Sequence, residues 1–354
     1  MLIEFESPAE SAKSNSALPE RPLANIMVFD VAAESVGALS ILHDFHRDVV
    51  RRAEEGKRWF FVLGRTDLPE SASVRVLRFP WVKKSWFHRL FFDWFVAPRL
   101  VKKYEIDEVL SLQNLTVPRV LQPQTVYLHQ SLPFSEYRFS FFAEPLLWTY
   151  QNIIGRMILR SIKKADAVIV QTKWMKTACM EKTGCRESKF TVAPPEIVIT
   201  PQAFFSPSAQ SLSTFFYPAS PFSYKNHKII LEACKILEKQ GEHSISVLFT
   251  LSGSENRISR ELLAETKRLN LPIKFLGPLS RGDVFNYYSQ SVLLFPSYIE
   301  TFGLPLLEAR VHGSFVLASN CPFSHEILDG YERTRFFDPS DAEQLASEIR
   351  EIRA

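Results

Sequence analysis

The most informative segment of the chain reads Phe295-Pro296-Ser297-Tyr298-Ile299-Glu300-Thr301-Phe302-Gly303-Leu304-Pro305-Leu306-Leu307-Glu308-Ala309. The apolar run Val292–Phe295 predicts a buried strand, and Pro305 suits the first position of a helix. A helix N-terminus carries positive partial charge and N–H groups that the helix itself does not use. The segment therefore predicts a strand, an anion-binding turn and a helix.

The turn has the composition of a site for a phosphate that joins two hydroxyl-bearing groups. Glycine allows the backbone to approach a phosphate closely. Glu300 and Glu308 lie on either side of the turn, and because carboxylates repel phosphate, they suit hydrogen bonds from hydroxyl groups instead. This chemistry describes a nucleotide sugar. Its phosphates would bind to four backbone positions: Thr301, Phe302, Gly303 and Leu304.

The two glutamates, separated by Thr-Phe-Gly-Leu-Pro-Leu-Leu and followed by Gly313 and Ala318-Ser319, resemble the donor motif of the family-four (group-one) retaining glycosyltransferases. The resemblance covers about residues 25 to 350 and is strongest from 215 to 341. It implies an α/β protein of the GT-B fold, with two Rossmann-like domains facing each other across a crevice. The first domain would bind the acceptor, and the second would bind a nucleotide-diphosphate-sugar donor.

Length and composition agree with a two-domain protein. A chain of 354 residues is long enough for two cores, and a formal net charge of +3 is too small to indicate nucleic-acid binding. The four cysteines show no metal-binding spacing, which favours a reducing cytoplasm. The chain shows neither a signal peptide nor a run of about 20 apolar residues, so any membrane contact is expected to be peripheral, on the inner face.

Composition also predicts the domain limits. Residues 1–24 are expected to form a flexible extension, 25–200 the acceptor domain and 215–354 the donor domain, joined by a Ser- and Pro-rich linker at 201–214. The resembled enzymes usually continue with further helices, so the resemblance suggests a shortened second domain.

Alternating apolar strands and helices in the first half predict a parallel sheet covered by helices. The loop after the first strand holds the acceptor in the resembled family, and the matching residues are Glu34, Ser35 and Gly37. The alternative is an ordinary turn into a helix N-terminus.

His129 follows a strand predicted at 125–128, and ligands of open α/β sheets gather at the carboxyl ends of strands. In the resembled family, a histidine at this place contacts the donor sugar and helps to position the reaction. The alternative is a capping or buried, hydrogen-bonded histidine.

Lys225 precedes a helix that Asn226 is expected to cap. The resemblance assigns Lys225 to the donor diphosphate, together with an arginine whose position Ser220 occupies here, so Arg257 is the predicted replacement. The alternative is a solvated loop lysine. Gly253 resembles part of a glycine-containing donor loop. The segment that holds the nucleobase in the family matches Phe275 and Leu279.

Residues 81–95 combine aromatic residues with cations at their margins, followed by Arg99, Lys102 and Lys103. This composition is typical of a membrane-surface helix, although aromatic residues at helical spacing also occur in cores. A second aromatic stretch at 137–148 leads into four cations and could extend the same surface: Arg156, Arg160, Lys163 and Lys164.

The resemblance implies transfer of a hexose-type sugar with retention, catalysed by Glu300, Lys225 and His129, while Glu308 holds the ribose. It implies no metal, no cofactor and no protein nucleophile, because the leaving-group oxygen helps to deprotonate an acceptor that attacks from the same face. The acceptor is expected to be a saccharide or a lipid-linked saccharide used in surface polysaccharide synthesis. Two alternatives are a nucleotide-sugar epimerase of the same fold and a non-catalytic nucleotide-sugar-binding module.

Overall fold

The computed structural model describes residues 24–33, 36–51, 56–195 and 197–353. They form two compact units, of which the second begins at residue 197 and also includes residues 135–138. The predicted extension lies outside the described residues, apart from Ala24, which begins the first strand.

The first unit is built on a seven-stranded parallel sheet in the order β3-β2-β1-β4-β5-β6-β7. Its strands are β1 (Ala24–Asp30), β2 (Lys57–Leu63), β3 (Val74–Arg78), β4 (Glu108–Ser111), β5 (Gln124–Leu128), β6 (Ala167–Val170) and β7 (Phe190–Val192). Its helices are α1 (Val36–Arg51), α2 (Trp86–Phe91), α3 (Ala97–Lys103), α4 (Pro145–Thr149), α5 (Gly155–Lys164) and α6 (Lys173–Thr183).

Both faces of the first sheet are buried, as the continuous apolar sequence of its central strands requires. Helix α1 packs Leu42 and Val49 against one face. On the other face, Val101 of α3 packs against β1 and β2, and Ile158 of α5 packs against β5 and β6. Two π-helical turns, Phe92–Val96 and Tyr150–Ile154, connect α2 to α3 and α4 to α5.

The second unit has a six-stranded parallel sheet in the order β10-β9-β8-β11-β12-β13. Its strands are β8 (Thr214–Tyr217), β9 (Ser246–Phe249), β10 (Ile273–Phe275), β11 (Val292–Phe295), β12 (Val316–Ser319) and β13 (Thr334–Phe337). Its helices are α7 (Ala209–Leu212), α8 (His227–Lys239), α9 (Arg257–Arg268), α10 (Arg281–Tyr288), α11 (Leu304–His312), α12 (Pro322–Leu328) and α13 (Ala342–Arg353).

Each sheet has one point at which the strand order reverses, between β1 and β4 in the first unit and between β8 and β11 in the second. Ligands of doubly wound sheets bind beyond the carboxyl ends of the strands at such a point. The predicted α/β architecture with two parallel, helix-covered sheets is confirmed.

Three local predictions need correction. The Ser- and Pro-rich stretch 201–214 contains helix α7, which Ser208 caps, and the backbone N–H of Phe205 donates to the carbonyl of His312, so it packs with the second unit. Pro305 is the second residue of α11, after Leu304. Asn226 occupies the N-cap of α8, but its side chain does not cap the helix.

Candidate functional site

The loops that follow β8 and β11 meet at the switch point of the second sheet. The Nζ of Lys225, after β8, donates a hydrogen bond to Oε1 of Glu300, after β11, at 2.5 Å. Both side chains are largely shielded from solvent, with 17% and 14% of their surface exposed. Two residues that lie 75 positions apart in the sequence therefore form one charged pair, at the place where a doubly wound sheet binds its ligand.

Hydrogen bonds from buried side chains fix these two loops to each other. The hydroxyl of Tyr217, at the end of β8, donates to the carbonyl of Lys225 at 2.7 Å and contacts Oγ of Ser297 at 3.0 Å. The amide of Asn226 donates to the carbonyls of Pro296 and Pro339, which explains why it does not cap α8. The backbone around the charged pair is thus held in place by the protein's own hydrogen bonds.

The turn before α11 has the conformation that its glycine predicts. Gly303 is the N-cap of α11 and has φ +90°, a left-handed conformation that side chains strongly disfavour. A Cβ added there would lie 3.2 Å from Cδ1 of Leu306. Thr301 and Phe302 lead into this turn, and Leu304, the first residue of α11, is exposed. Helix α11 therefore begins shortly after Glu300 in the chain.

Glu308 lies in the same helix and is held from α10. Its Oε2 accepts a hydrogen bond from the hydroxyl of Tyr288 at 3.0 Å, and Arg281 approaches Oε1 at 3.5 Å. Burial raises the pKa of the Glu308 carboxyl, while Tyr288 and Arg281 oppose that change. Burial also raises the pKa of Tyr288 far above its ordinary value, so this hydroxyl stays protonated and can donate.

The remaining donor-site candidates follow the neighbouring strands at the same edge of the sheet. Ser220 is exposed after β8, Phe275 ends β10, and Leu279 lies just beyond it. Arg257 begins α9, next to Asn256, whose amide donates to the carbonyl of Pro221 at 2.7 Å. The guanidinium of Arg257 bonds to Glu261 at 2.8 Å on the helix surface.

The glycine-containing loop after β9 binds one of its own side chains. The carboxylate of Glu255 accepts hydrogen bonds from the backbone N–H groups of Ser252 at 2.5 Å and Gly253 at 3.1 Å. Burial raises the pKa of Glu255, but hydrogen bonds from the backbone of Ser252 and of Glu255 itself, and from the side chains of Ser252 and Ser259, outweigh it and bring the pKa to about 2. Gly253 also has a packing reason to be glycine, because a Cβ would lie 2.4 Å from Leu263. Its contact with the donor stays a prediction.

In the first unit, His129 follows β5 and is held by Asn114, which follows β4. The side-chain oxygen of Asn114 accepts from the backbone N–H of His129 at 2.7 Å, and its nitrogen lies 3.2 Å from Nε2. An amide nitrogen only donates, so Nε2 is the acceptor and the proton belongs on Nδ1. Burial lowers the pKa of His129 to about 4, so the ring is neutral at pH 7.

The predicted acceptor residues are described only in part. Glu34 and Ser35 lie outside the described residues, and Gly37 lies in the first turn of α1 rather than in the preceding loop. Nearby, Asp30 ends β1 with 2% of its surface exposed. Burial raises its pKa to about 7, against the opposing effects of Arg89, the backbone of Ala33, and Lys83.

Sequence reasoning missed Asn114, Tyr288 and Asp30. Asn114 has the positive φ of +66° that asparagine tolerates, so an asparagine directly after a predicted strand was the available signal. Tyr288 appears in sequence as an ordinary apolar helix residue. Asp30 ends an apolar strand, which placed it at the sheet edge but did not reveal its burial.

Two further observations concern the part of the chain that the structure describes. No group of three or more His, Cys, Asp or Glu side chains there could hold a metal ion. None of its helices combines the length and apolar character needed to span a bilayer.

The family model and the curated relative that match this chain are both glycosyltransferases. Residues 201–353 match the family model of glycosyl transferases group 1. The chain is similar to O-antigen chain mannosyltransferase RfbU of Salmonella typhimurium, with 22% identity over 264 residues, which cover 74% of this chain and 69% of RfbU.

Two solved structures share the fold. Sucrose-phosphate synthase from Thermosynechococcus elongatus has 17% identity and a TM-score of 0.67, over 93% of this chain and 89% of its own. Anabaena Alr3699/HepE in complex with UDP-glucose has 18% identity and a TM-score of 0.62, over 92% and 89%. The segment 201–353 is therefore similar in sequence to the group 1 glycosyl transferases, and the two parallel sheets of the chain are those of the GT-B fold.

Proposed function

We propose that the protein transfers a hexose from a nucleotide-diphosphate-sugar to a saccharide acceptor, with retention of anomeric configuration, in surface polysaccharide or lipopolysaccharide synthesis. The observation that carries this proposal is the Lys225–Glu300 pair at the switch point of the second sheet, next to the N-terminus of α11. The relatives support the substrate classes: RfbU is named an O-antigen chain mannosyltransferase, and HepE forms a complex with UDP-glucose.

The donor diphosphate would bind between Lys225 and the turn at Gly303. As the sugar leaves, negative charge develops on the diphosphate, and the ammonium and the helix dipole both stabilise that charge. Preorganised positive groups of this kind make the step possible without a metal or a cofactor, and we propose neither.

The two carboxylates would bind the alcohols on either side of the diphosphate. Glu300, already paired with Lys225, is assigned to the hydroxyls of the transferred sugar, and Glu308, held by Tyr288, to those of the ribose. Each accepts hydrogen bonds, which is what an ionised carboxylate does best. The acceptor hydroxyl would attack from the face that the diphosphate leaves and pass its proton to the departing oxygen. No protein nucleophile is then needed.

The acceptor would be a saccharide, carried on a lipid where polysaccharide repeats are built at a membrane. The acceptor roles of Glu34, Ser35 and Gly37 stay predictions. His129 also stays a predicted positioning residue. As a neutral imidazole held by Asn114, it can hydrogen-bond a hydroxyl without adding charge.

A panel of UDP-, GDP- and ADP-linked hexoses tests the proposal. Binding is measured by calorimetry, each bound donor is then incubated with candidate saccharides, and products are analysed by mass and by NMR of the new anomeric bond. A retained linkage on an acceptor heavier by one hexose supports the proposal. A rearranged donor without acceptor would identify an epimerase, and binding without product would identify a binding module. Failure to bind any nucleotide sugar would reject all three functions.

A further inference from the structure

The helix that follows β3 in the first unit exposes aromatic side chains that the core does not use. Phe92 and Val82 are fully buried beneath it. The outward side chains recur at the spacing of one helix face, and the most exposed, Phe87, has 83% of its surface open to solvent. Six apolar side chains form this stripe: Trp86, Phe87, Leu90, Phe91, Trp94 and Phe95.

A second exposed apolar stripe precedes and covers α4 and its π-helical turn. It includes Phe142, with 95% of its surface exposed, together with Phe141, Leu146 and Ile153. Solvent exposure of this much aromatic surface is unusual for a segment that needs no partner.

Both stripes lie on the same side of the first unit. Phe29 pairs with Ser111, and Ser111 with Val126, so these three residues point to one face of the sheet. The helix of the first stripe packs on Phe29, and α5 packs on Val126.

The loop between β4 and β5 connects the two stripes. Its Arg119 lies over the ring of Trp94, 5.1 Å from the centroid, and the N–H of Thr116 donates to Oγ of Ser161 in α5 at 3.1 Å. Leu121 in this loop is completely exposed. We call the two stripes with Arg119 and Leu121 the aromatic-basic face.

The charge of this face is positive, although the chain as a whole is nearly balanced. In the first unit, residues 80–103 contain six Lys or Arg and one acid, and residues 139–164 contain four and one. The acid of the first segment, Asp93, is neutralised by Arg89 at 2.7 Å. Exposed aromatic side chains flanked by cations match the headgroup region of an anionic bilayer, where rings insert and cations meet phosphates. A second copy of the chain would instead bring like charges together.

We propose that the aromatic-basic face docks the protein on a bilayer that contains anionic phospholipid. Neither donor nor acceptor is needed for this contact, so the proposal stands independently of the transfer reaction. The face would hold the first unit at the surface on which a lipid-linked saccharide is presented.

Vesicle binding tests the proposal directly. The full chain is mixed with phosphatidylglycerol–phosphatidylcholine vesicles or with phosphatidylcholine vesicles alone, and the bound fraction is measured by co-sedimentation at low and high salt. We expect binding only with the anionic lipid, and weaker binding at high salt because exposed charges are screened. Phe87→Ser and Phe142→Ser should each lower the partition coefficient about fivefold, and together more than tenfold, by removing inserted apolar area.

Phe204→Ser is the matched control, because Phe204 is 68% exposed and belongs to the second unit rather than to this face. It should bind as the unaltered protein does. All three side chains are exposed, so thermal unfolding should change little and exclude misfolding. The proposal is overturned if the Phe87/Phe142 variant binds vesicles normally or if neutral vesicles bind equally well. It is also overturned if ultracentrifugation shows a dimer that this variant dissociates.

Discussion

The ammonium of Lys225 donates a hydrogen bond to the carboxylate of Glu300 across the switch point between β8 and β11. Both side chains are mostly shielded from water. A shielded charge without its partner is costly, so the two residues act as a unit. In the proposed reaction, Lys225 would contact both Glu300, which holds the sugar, and the diphosphate that departs from that sugar.

Lys225→Ala should lower kcat by about 100- to 1000-fold, the usual loss when one group that stabilises transition-state charge is removed. Lys235→Ala is the matched control, because Lys235 also forms partly shielded ion pairs, with Glu232 and Glu265, but does so on the flank of α8. Steady-state kinetics of both variants give the comparison. Equal losses would show that ion-pair stability, and not catalysis, explains the effect.

Tyr288→Phe should raise KM for the donor several-fold with little change in kcat, because it removes the hydroxyl that holds Glu308 in place. Glu308 must be ionised to accept from ribose, so donor affinity should fall as pH drops through its raised pKa. Loss of the Tyr288 hydrogen bond raises that pKa further and should move the acidic limb of kcat/KM to higher pH. Tyr331→Phe, which loses a hydroxyl bond to the carbonyl of Ser314, should leave that limb unchanged.

Gly303→Ala and Gly313→Ala separate backbone strain from donor binding. Both glycines flank α11 with positive φ, +90° and +75°, so each alanine should destabilise the protein by about 1 kcal/mol. Only Gly303 lies in the proposed phosphate turn, and only its alanine variant should weaken nucleotide-sugar binding in calorimetry. Equal affinity in both variants would remove this turn from the donor site.

The sequence predicted best where apolar runs end at residues with special backbone geometry. Strand β11 has the predicted bounds, Val292–Phe295, because Pro296 ends the run. Contacts between distant polar residues were not predictable in this way. Neither Asn114 with His129 nor Tyr288 with Glu308 leaves a local pattern, since both contacts exist only after the strands are ordered. Helix α7 was missed because serine caps and serine-rich linkers have the same composition.

Asp30→Asn should stabilise the protein more at pH 8.5 than at pH 5. The pKa of Asp30 is raised in the folded state to about 7, so its contribution to stability is present below the ordinary value of 3.8 and is lost as pH rises through about 7. One pKa unit corresponds to about 1.4 kcal/mol, so the gain should reach a few kcal/mol.

Thermal unfolding at several pH values measures this gain. Asp338→Asn is a control of opposite sign, because Ser340 lowers the pKa of Asp338. A stability difference for Asp30→Asn that does not vary with pH would contradict the burial of an ionisable carboxyl at this position.

Arg257→Ala tests whether this residue supplies the cation that Ser220 lacks. Arg257 begins α9 beside Asn256, whose amide donates to the carbonyl of Pro221, the residue after Ser220, so the start of α9 lies next to the loop in question. Its bond to Glu261 is on the surface and contributes little to stability, which leaves the guanidinium able to reorient. We expect Arg257→Ala to raise the donor KM about tenfold, the loss of one charge-assisted hydrogen bond.

The second substitution Ser220→Arg should restore that KM in the Arg257→Ala background, because it places a cation after β8 directly. Glu261→Gln is the control, since it frees Arg257 without removing it, and it should leave KM unchanged or lower it. Unaltered donor kinetics in Arg257→Ala would mean that Lys225 and the N-terminus of α11 alone offset the diphosphate charge. Ser220→Arg should then still lower the donor KM in the otherwise unaltered protein, because a second cation at that edge strengthens the attraction to a doubly charged ligand.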